Sequence, residues 1–453
     1  MRRWILGAVL AALPQAALWA APLAGEQAAV HVLNRLAYGP RPGDIERVRQ
    51  SGVQAYIDEQ LNPPALPVAL AQRLDRLETL KMSAGDALER FQEARSGDQG
   101  ERREVVQQMA SEAAEARLLR AIDSPRQLEE VMVDFWYNHF NVFSGKGQDR
   151  ALVASYERDA IRPYVFGSFR QMLGATAHHP AMLFYLDNWV SKAGGLNENY
   201  ARELMELHTL GVDGGYTQKD VTELARMLTG WTYRPKRDAQ FAFDPRRHDN
   251  GAKTWLGKPV TVRGEAEGEY ALDVLATHPA TARHVSSKLA QYFVADQPPP
   301  ALVERMAQSW IASKGDIRTV LRTLFSSPEF MDQQYAGAKF KTPYQYVVSA
   351  SRAAAMPMPE VKPLVGILNR LGMPLYGCQT PDGYKNTEGA WLNPDGLGRR
   401  ISYALSLANG ADADKVQEAL GTSVSKQTAA IVADSNERLR AAMLLGSPDF
   451  MQR

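Results

Sequence analysis

The 453-residue chain has a single cysteine, Cys378, so it can form no internal disulfide and its stability must come from packing. A lone thiol in an oxidising compartment is expected to be buried rather than catalytic. Neither charge is in excess, with 52 basic side chains against 51 acidic ones, and no long basic run follows the first few positions. The electrostatic footprint of a nucleic-acid-binding protein is therefore missing. Past the N-terminus no segment approaches 18 apolar residues, so no membrane span is expected in the mature chain. HExxH, CxxC, G-x-S-x-G and the Walker loop are all absent, and the one S-x-x-K, Ser423 to Lys426, stands without its companion motifs. The familiar hydrolase and nucleotide-binding templates fail. Alternating Val/Ile/Thr runs are nearly absent too, outside KPVTVRGE (258–265).

What is present is mainly helical. Apolar residues recur at a 3.6-residue period and the segments stop at Gly or Pro, which predicts an all-α fold: a large multi-helix domain with a few short irregular or β segments. Hydrophobic residues at 45% and charged residues at 23% are ordinary for a globular chain. The N-terminus has Arg2 and Arg3, an apolar stretch from Trp4 to Ala12, and small residues at Ala20 and Ala21, the pattern of a secretory signal peptide over residues 1–21. Pro14 and Gln15 interrupt it before the ~20 residues that a span requires. A twin-arginine signal is the variant reading. Export to the periplasm or the outside is the expectation. The main helical domain is placed at 22–355, with a polar helical arm at 77–122, and a C-terminal helical subdomain at 356–453, divided at the Pro-rich MPMPEVKP (356–363).

Polar residues inside apolar patterns mark the candidate site. In NENYARELMELHTLG (197–211), a helical wheel puts Tyr200, Leu204, Leu207 and His208 on one side, Asn199, Arg202 and Glu206 on the other, and Glu203 at the border. Pairs at i,i+4 through Arg202 explain part of the charge. YTQKDVTELARMLTGW (216–231) reads as one helix, with Thr217 and Asp220 as an acidic capping box and Trp231 on its buried stripe. In VMVDFWYNHFNVF (131–143), Asp134, Asn138 and Asn141 make a polar stripe on an otherwise apolar helix beside His139. Burying such groups unpaired costs several kcal/mol, so partners are required, and the helices with Glu203 or Asp220 are the expected source. FAFDPRRHDNGAKTWLG (241–257) is a loop carrying His248, Asp249 and Lys253. His179 and His278 each precede a proline and read as helix-start residues. LFSSPEFM (324–331) returns as LLGSPDFM (444–451), a packing device used twice.

These stretches, with HVLNRLAYGPRPGD (31–44), FWYNHF (135–140), MLFYLDN (182–188) and HPATARHVSSKLAQYFV (278–294), resemble the bacterial family called domain of unknown function 1800 over nearly the whole mature chain. The resemblance implies an exported, mostly helical protein. It also implies, as a partner, an exported protein of the family called domain of unknown function 1501, which resembles alkaline phosphatases. It brings no settled activity. The expected site is one polar pocket that binds or processes an extracellular or cell-envelope polymer, with a divalent metal as an option. Its catalytic candidates are Glu203, Asp220, His248 and Asp249. Asn197, Asn199, Tyr200, Arg202, Lys253 and Trp231 are the substrate-binding candidates, and His139, His208 and His248 the metal ligands. The alternative is a non-catalytic scaffold that docks the exported partner.

Overall fold

The computed structural model describes residues 22–97, 99–235, 238–355 and 361–453. The expected signal peptide and most of the expected domain boundary lie outside these residues. The described chain is all-α, with two small antiparallel hairpins, Trp231–Tyr233 with Phe241–Phe243 and Thr254–Trp255 with Lys258–Pro259.

The centre is the helix Gln127–His139, of which Leu128, Val131, Met132, Val133 and Trp136 are essentially inaccessible to solvent. Around it pack Gly25–Leu36, Val53–Leu61 and Gln99–Asp123, together with the wide π turn Glu157–Ile161 that continues the helix Asp149–Tyr156. The expected arm is a pair of helices, Ala84–Ser96 and Gln99–Asp123. The pair buries Leu88, Phe91, Met109 and Leu118 against Asp149–Tyr156, while its outer face carries the Glu/Arg/Gln-rich sequence.

The polar stripe of the central helix finds its partners elsewhere than expected. Asp134 takes Arg117 at 2.7 Å, and Arg117 reaches on to Glu157 at 3.2 Å. The helix ends at His139, so Asn141 lies beyond it. Asn138 and Asn141 turn to a segment about 240 residues away: Asn138 clasps both the N–H and the C=O of Tyr384, and Asn141 donates to the carbonyls of Cys378 and Thr380. Gly383, at φ 71°, fits beneath because a Cβ there would stand 2.3 Å from the carbonyl of Asn138. The loop 378–384 is thereby pinned to the core by two amides, and the Cys378 thiol is buried within it.

Two local devices recur. His179 and His278 both cap helices, each ring accepting from the N–H two residues on, and Pro follows at the first helical position. Ser327 and Ser447 each donate to the carbonyl three residues back and accept from the N–H of Phe330 or Phe450 three residues on. Each turn then fastens a distant segment in the same way: Leu23 donates to the carbonyl of Met331 and Lys341 to that of Met451, both at 2.8 Å. In each case a short antiparallel bridge lies alongside, Pro22 with Asp332 and Phe340 with Gln452. The repeated octapeptide is thus a repeated clasp.

Candidate functional site

The expected site residues fall into two groups. The first surrounds the loop after the hairpin Trp231–Phe243. The helix predicted to run to residue 231 stops at Met227, because Gly230 turns the chain at φ 83° and Trp231 opens the first strand of that hairpin. Trp231 is wholly buried, against His178 and Phe241. Asp220 forms the predicted capping box with Thr217 but stands partly exposed, and its other oxygen accepts from the N–H of Leu256 at 2.8 Å. Partial burial pushes its carboxyl up, and these hydrogen bonds outweigh that and hold it below the usual range.

In the loop itself, His248 Nδ1 donates to the carbonyl of Thr229 at 2.8 Å, which fixes the ring so that Nε2 faces Glu267 Oε1 at 3.5 Å. Lys253 Nζ lies 2.7 Å from Glu267 Oε2 and donates to the carbonyls of Asp249 and Gly251. Asp249 meets Arg226 through two contacts, at 2.8 and 3.1 Å, and receives the N–H of Gly251. The bonds from Arg226, with that N–H, hold the Asp249 carboxyl at about 2. The side chains of His248, Lys253 and Glu267 are each no more than 1% exposed. Chemically this arrangement ties the loop to the helices Gln218–Met227 and Glu265–Thr277, its charges directed at one another rather than outward.

The second group lies about the end of the helix Asn199–Glu206, where His284 of the helix Pro279–Phe293 reaches the carbonyl of Leu207 at 3.3 Å. Asn197 accepts from the N–H of Asn199, organising the turn before the helix. Arg202 pairs with Glu198 at 3.2 Å and Gln218 at 2.9 Å. Tyr200 is buried at 1% exposure in the core. His208, just past the helix, is buried, and its carbonyl stands 3.1 Å from His139 Nε2, with the two rings 6.1 Å apart. His284 joins them through the carbonyl of Leu207. Burial and the nearby Lys288 cation push the imidazoles down, His208 to about 3 and His284 to about 4, so they are neutral at ordinary pH.

Lys288, one turn after His284, brings a cation to this histidine cluster. Burial and the like charge of Lys385 lower its ammonium to about 8, against the opposing pull of Asp382. Glu203 is half-buried, and burial together with Glu206 raises its carboxyl, with Asp382 adding to the effect. Tyr185 feels both Cys378 and Glu203 and donates to the carbonyl of Gln379. Asp382 itself bonds Thr380 and Lys385 at 2.6 Å each. Among the described residues, neither Glu203 nor Lys288 has a hydrogen-bond or ion-pair partner for its charged end. This distinguishes them from His248, Asp249 and Lys253.

The contacts of His248 and those of His139 share no residue, so the three metal candidates do not form one donor set. Among the described residues no group of three or more His, Cys, Asp or Glu side chains is arranged to hold a metal ion. Lys288, Asp382 and Lys385 were not among the residues singled out by sequence. The i,i+4 spacing of His284 and Lys288 was the available signal, since it puts both on one helix face.

The fold and these groups define an all-α protein with a charged cluster drawn from two helices and a loop. The chain belongs to the family described as protein of unknown function DUF1800, whose pattern it matches over residues 31–452. Comparison with curated proteins and with solved structures returns no match.

Proposed function

We propose that the chain is exported and that it binds, and acts by proton transfer on, an anionic extracellular or cell-envelope polymer at the cluster of Glu203, Lys288 and the 378–385 loop. The carrying observation is that Glu203 and Lys288, which both feel Asp382, have no partner among the described residues while nearly every other charge named above has one. A half-buried carboxyl whose proton affinity is raised by burial and by Glu206 holds and returns a proton more readily than an exposed glutamate, which suits a general base or acid. Lys288 supplies a cation to hold an anionic group, and Tyr185, which feels Glu203, fastens the neighbouring loop through the carbonyl of Gln379. Among the described residues no set of three or more donors is arranged to hold a metal ion at this cluster.

The test is binding of envelope polysaccharide and peptidoglycan fragments to the purified mature chain and to Glu203→Gln and Lys288→Met, with metal analysis of the same preparation. The reading expects both substitutions to weaken or abolish binding or turnover with the fold intact. Unchanged ligand binding in both variants removes the site.

A second reading, a scaffold that docks an exported partner of the family called domain of unknown function 1501, draws support from Ile401 and Leu405. They stand one turn apart on the helix Pro394–Ala408, each 47% exposed. Under it, Ile401→Ser with Leu405→Ser abolishes co-purification from the native operon, and Glu203→Gln leaves it intact.

A further inference from the structure

An open cavity of about 310 Å³ lies between the helices Val68–Asp75 and Gln99–Asp123, beside the π turn Glu157–Ile161. It shares no lining residue with Glu203, Lys288 or the 378–385 loop, and is independent of the function proposed there. A volume of that size is at the lower end of small-molecule sites. Much of its lining is apolar. Leu66, Leu74 and Leu80 come from the helix Val68–Asp75 and its flanks, while Ala113, Ala116 and Ala154 come from Gln99–Asp123 and Asp149–Tyr156. Ala113, Ala116 and Arg120 recur at i, i+3 and i+7 and so share one helix face, which sets the Arg120 guanidinium in line with the apolar lining.

The charged groups of the lining are Lys81, Arg120, Arg158 and Arg162 against Asp75 and Glu157. Three of the cations are engaged. Lys81 lies 3.3 Å from Asp75 and 3.4 Å from Glu78. Arg158 meets Asp159 at 2.6 Å and donates to the carbonyls of Leu80 and Met82. Arg162 pairs with Glu130 and Glu157, each at 2.8 Å. Arg120 has no hydrogen-bond or ion-pair partner among the described residues, and none of its side-chain nitrogens is shut off from solvent.

Two carboxylates favour the Arg120 charge without touching it, and both are committed elsewhere. Glu130 gives its two oxygens to Arg162, and Glu157 is bonded to Arg117, Arg162 and Tyr376. Partial burial, and after it the like charge of Arg162, outweigh their pull and lower the guanidinium from its ordinary value. An occupant that brought a negative group to Arg120 would relieve that cost, and the fork of the guanidinium suits a carboxylate. The leucines and alanines ask for the opposite chemistry in the rest of the molecule, a chain of methylenes.

We propose that this cavity binds a medium-chain aliphatic carboxylate, with its carboxylate on Arg120 and its chain among Leu66, Leu74 and Leu80.

The experiment is calorimetric titration of the purified mature chain with octanoate, acetate and 1-octanol, repeated on Arg120→Met and on Ala71→Trp. Ala71 lines the cavity from an exposed position on Val68–Asp75, so a larger side chain there fills the space and leaves every charge in place. Octanoate is expected to bind at least about a hundredfold more tightly than acetate, since each methylene buried tightens binding by up to about fourfold. It is expected to bind at least about tenfold more tightly than 1-octanol, which has the chain without the charge. Arg120→Met should bind octanoate no better than 1-octanol, and Ala71→Trp should lose both while keeping the unfolding midpoint of the parent. Absence of octanoate binding overturns the proposal, as does equal binding of 1-octanol, which would make the site a neutral apolar cleft, or of acetate, which would make it a simple anion hole. Undiminished octanoate binding in Ala71→Trp overturns the location, a result that holds whether or not Arg120→Met folds.

Discussion

His248 Nε2 stands 3.5 Å from Glu267 Oε1 while the other oxygen of the same carboxylate lies 2.7 Å from Lys253 Nζ. One buried acid thus serves two basic groups of a loop. Removing it leaves Lys253 charged and uncompensated, which typically costs 3–5 kcal/mol, so Glu267→Gln is expected to lose about that much in urea unfolding. The double change Glu267→Leu with Lys253→Met should be less damaging than Glu267→Gln alone. Equal loss in both would mean that packing, not charge, sets the effect.

Glu203→Gln should behave in the opposite way. Its carboxyl is half-buried and unpaired, so neutralising it removes a desolvation penalty and stability should change by less than about 0.5 kcal/mol or rise. A loss as large as that of Glu267→Gln would place Glu203 among the structural residues.

The acid limb of the stability curve should depend on Asp249. Its carboxyl sits at about 2 in the fold, below the ~3.9 of an unfolded aspartate. A depressed folded value gives stability that is present above the unfolded value and lost as pH falls through the folded one. Asp249→Asn is expected to flatten the pH dependence of unfolding between about 4 and 2. A slope identical to the parent's would contradict this.

Lys288 governs the alkaline side. Its ammonium at about 8 lies below the ~10.4 of an unfolded lysine, so between these values the unfolded chain binds more protons and stability rises with pH. Lys288→Met should abolish that rise. Over the same interval any anion held by Lys288 should be released as the charge is lost, which a binding titration at several pH values reads directly.

The Ser-Pro clasps should be additive. Ser327→Ala and Ser447→Ala each remove a cap that both donates and accepts, costing about 1 kcal/mol apiece. The turns lie far apart in sequence and have separate partners, so the double variant should lose the sum. Equilibrium denaturation of the four proteins checks it.

Local rules were readable along the chain and long-range pairings were not. The histidine caps, the Thr217–Asp220 box and the duplicated Ser-Pro turn all rest on residues within four positions of one another, and each formed as expected. The helical period likewise gave the all-α class. That Asp134, Asn138 and Asn141 require partners was also legible, because burial cost follows from the pattern alone. Which partners they find depends on the global path of the chain, and Arg117 and the loop at 378–384 could not be inferred from spacing. His248 and Lys253 look like chemistry in a loop of Pro, Asn and Gly. Only the approach of Glu267, on the helix Glu265–Thr277, turns them into a fastening.

Asp382 is carried by a segment whose hold on the body runs through Asn138 and Asn141, and its negative charge favours the proton on both Glu203 and Lys288. Were that segment to swing outward, Glu203 would lose a charge that favours its proton and release it more readily, while Lys288 would lose Lys385, the stronger influence on it, and hold its proton more firmly. A single hinge would therefore retune the two by one movement, without either being touched.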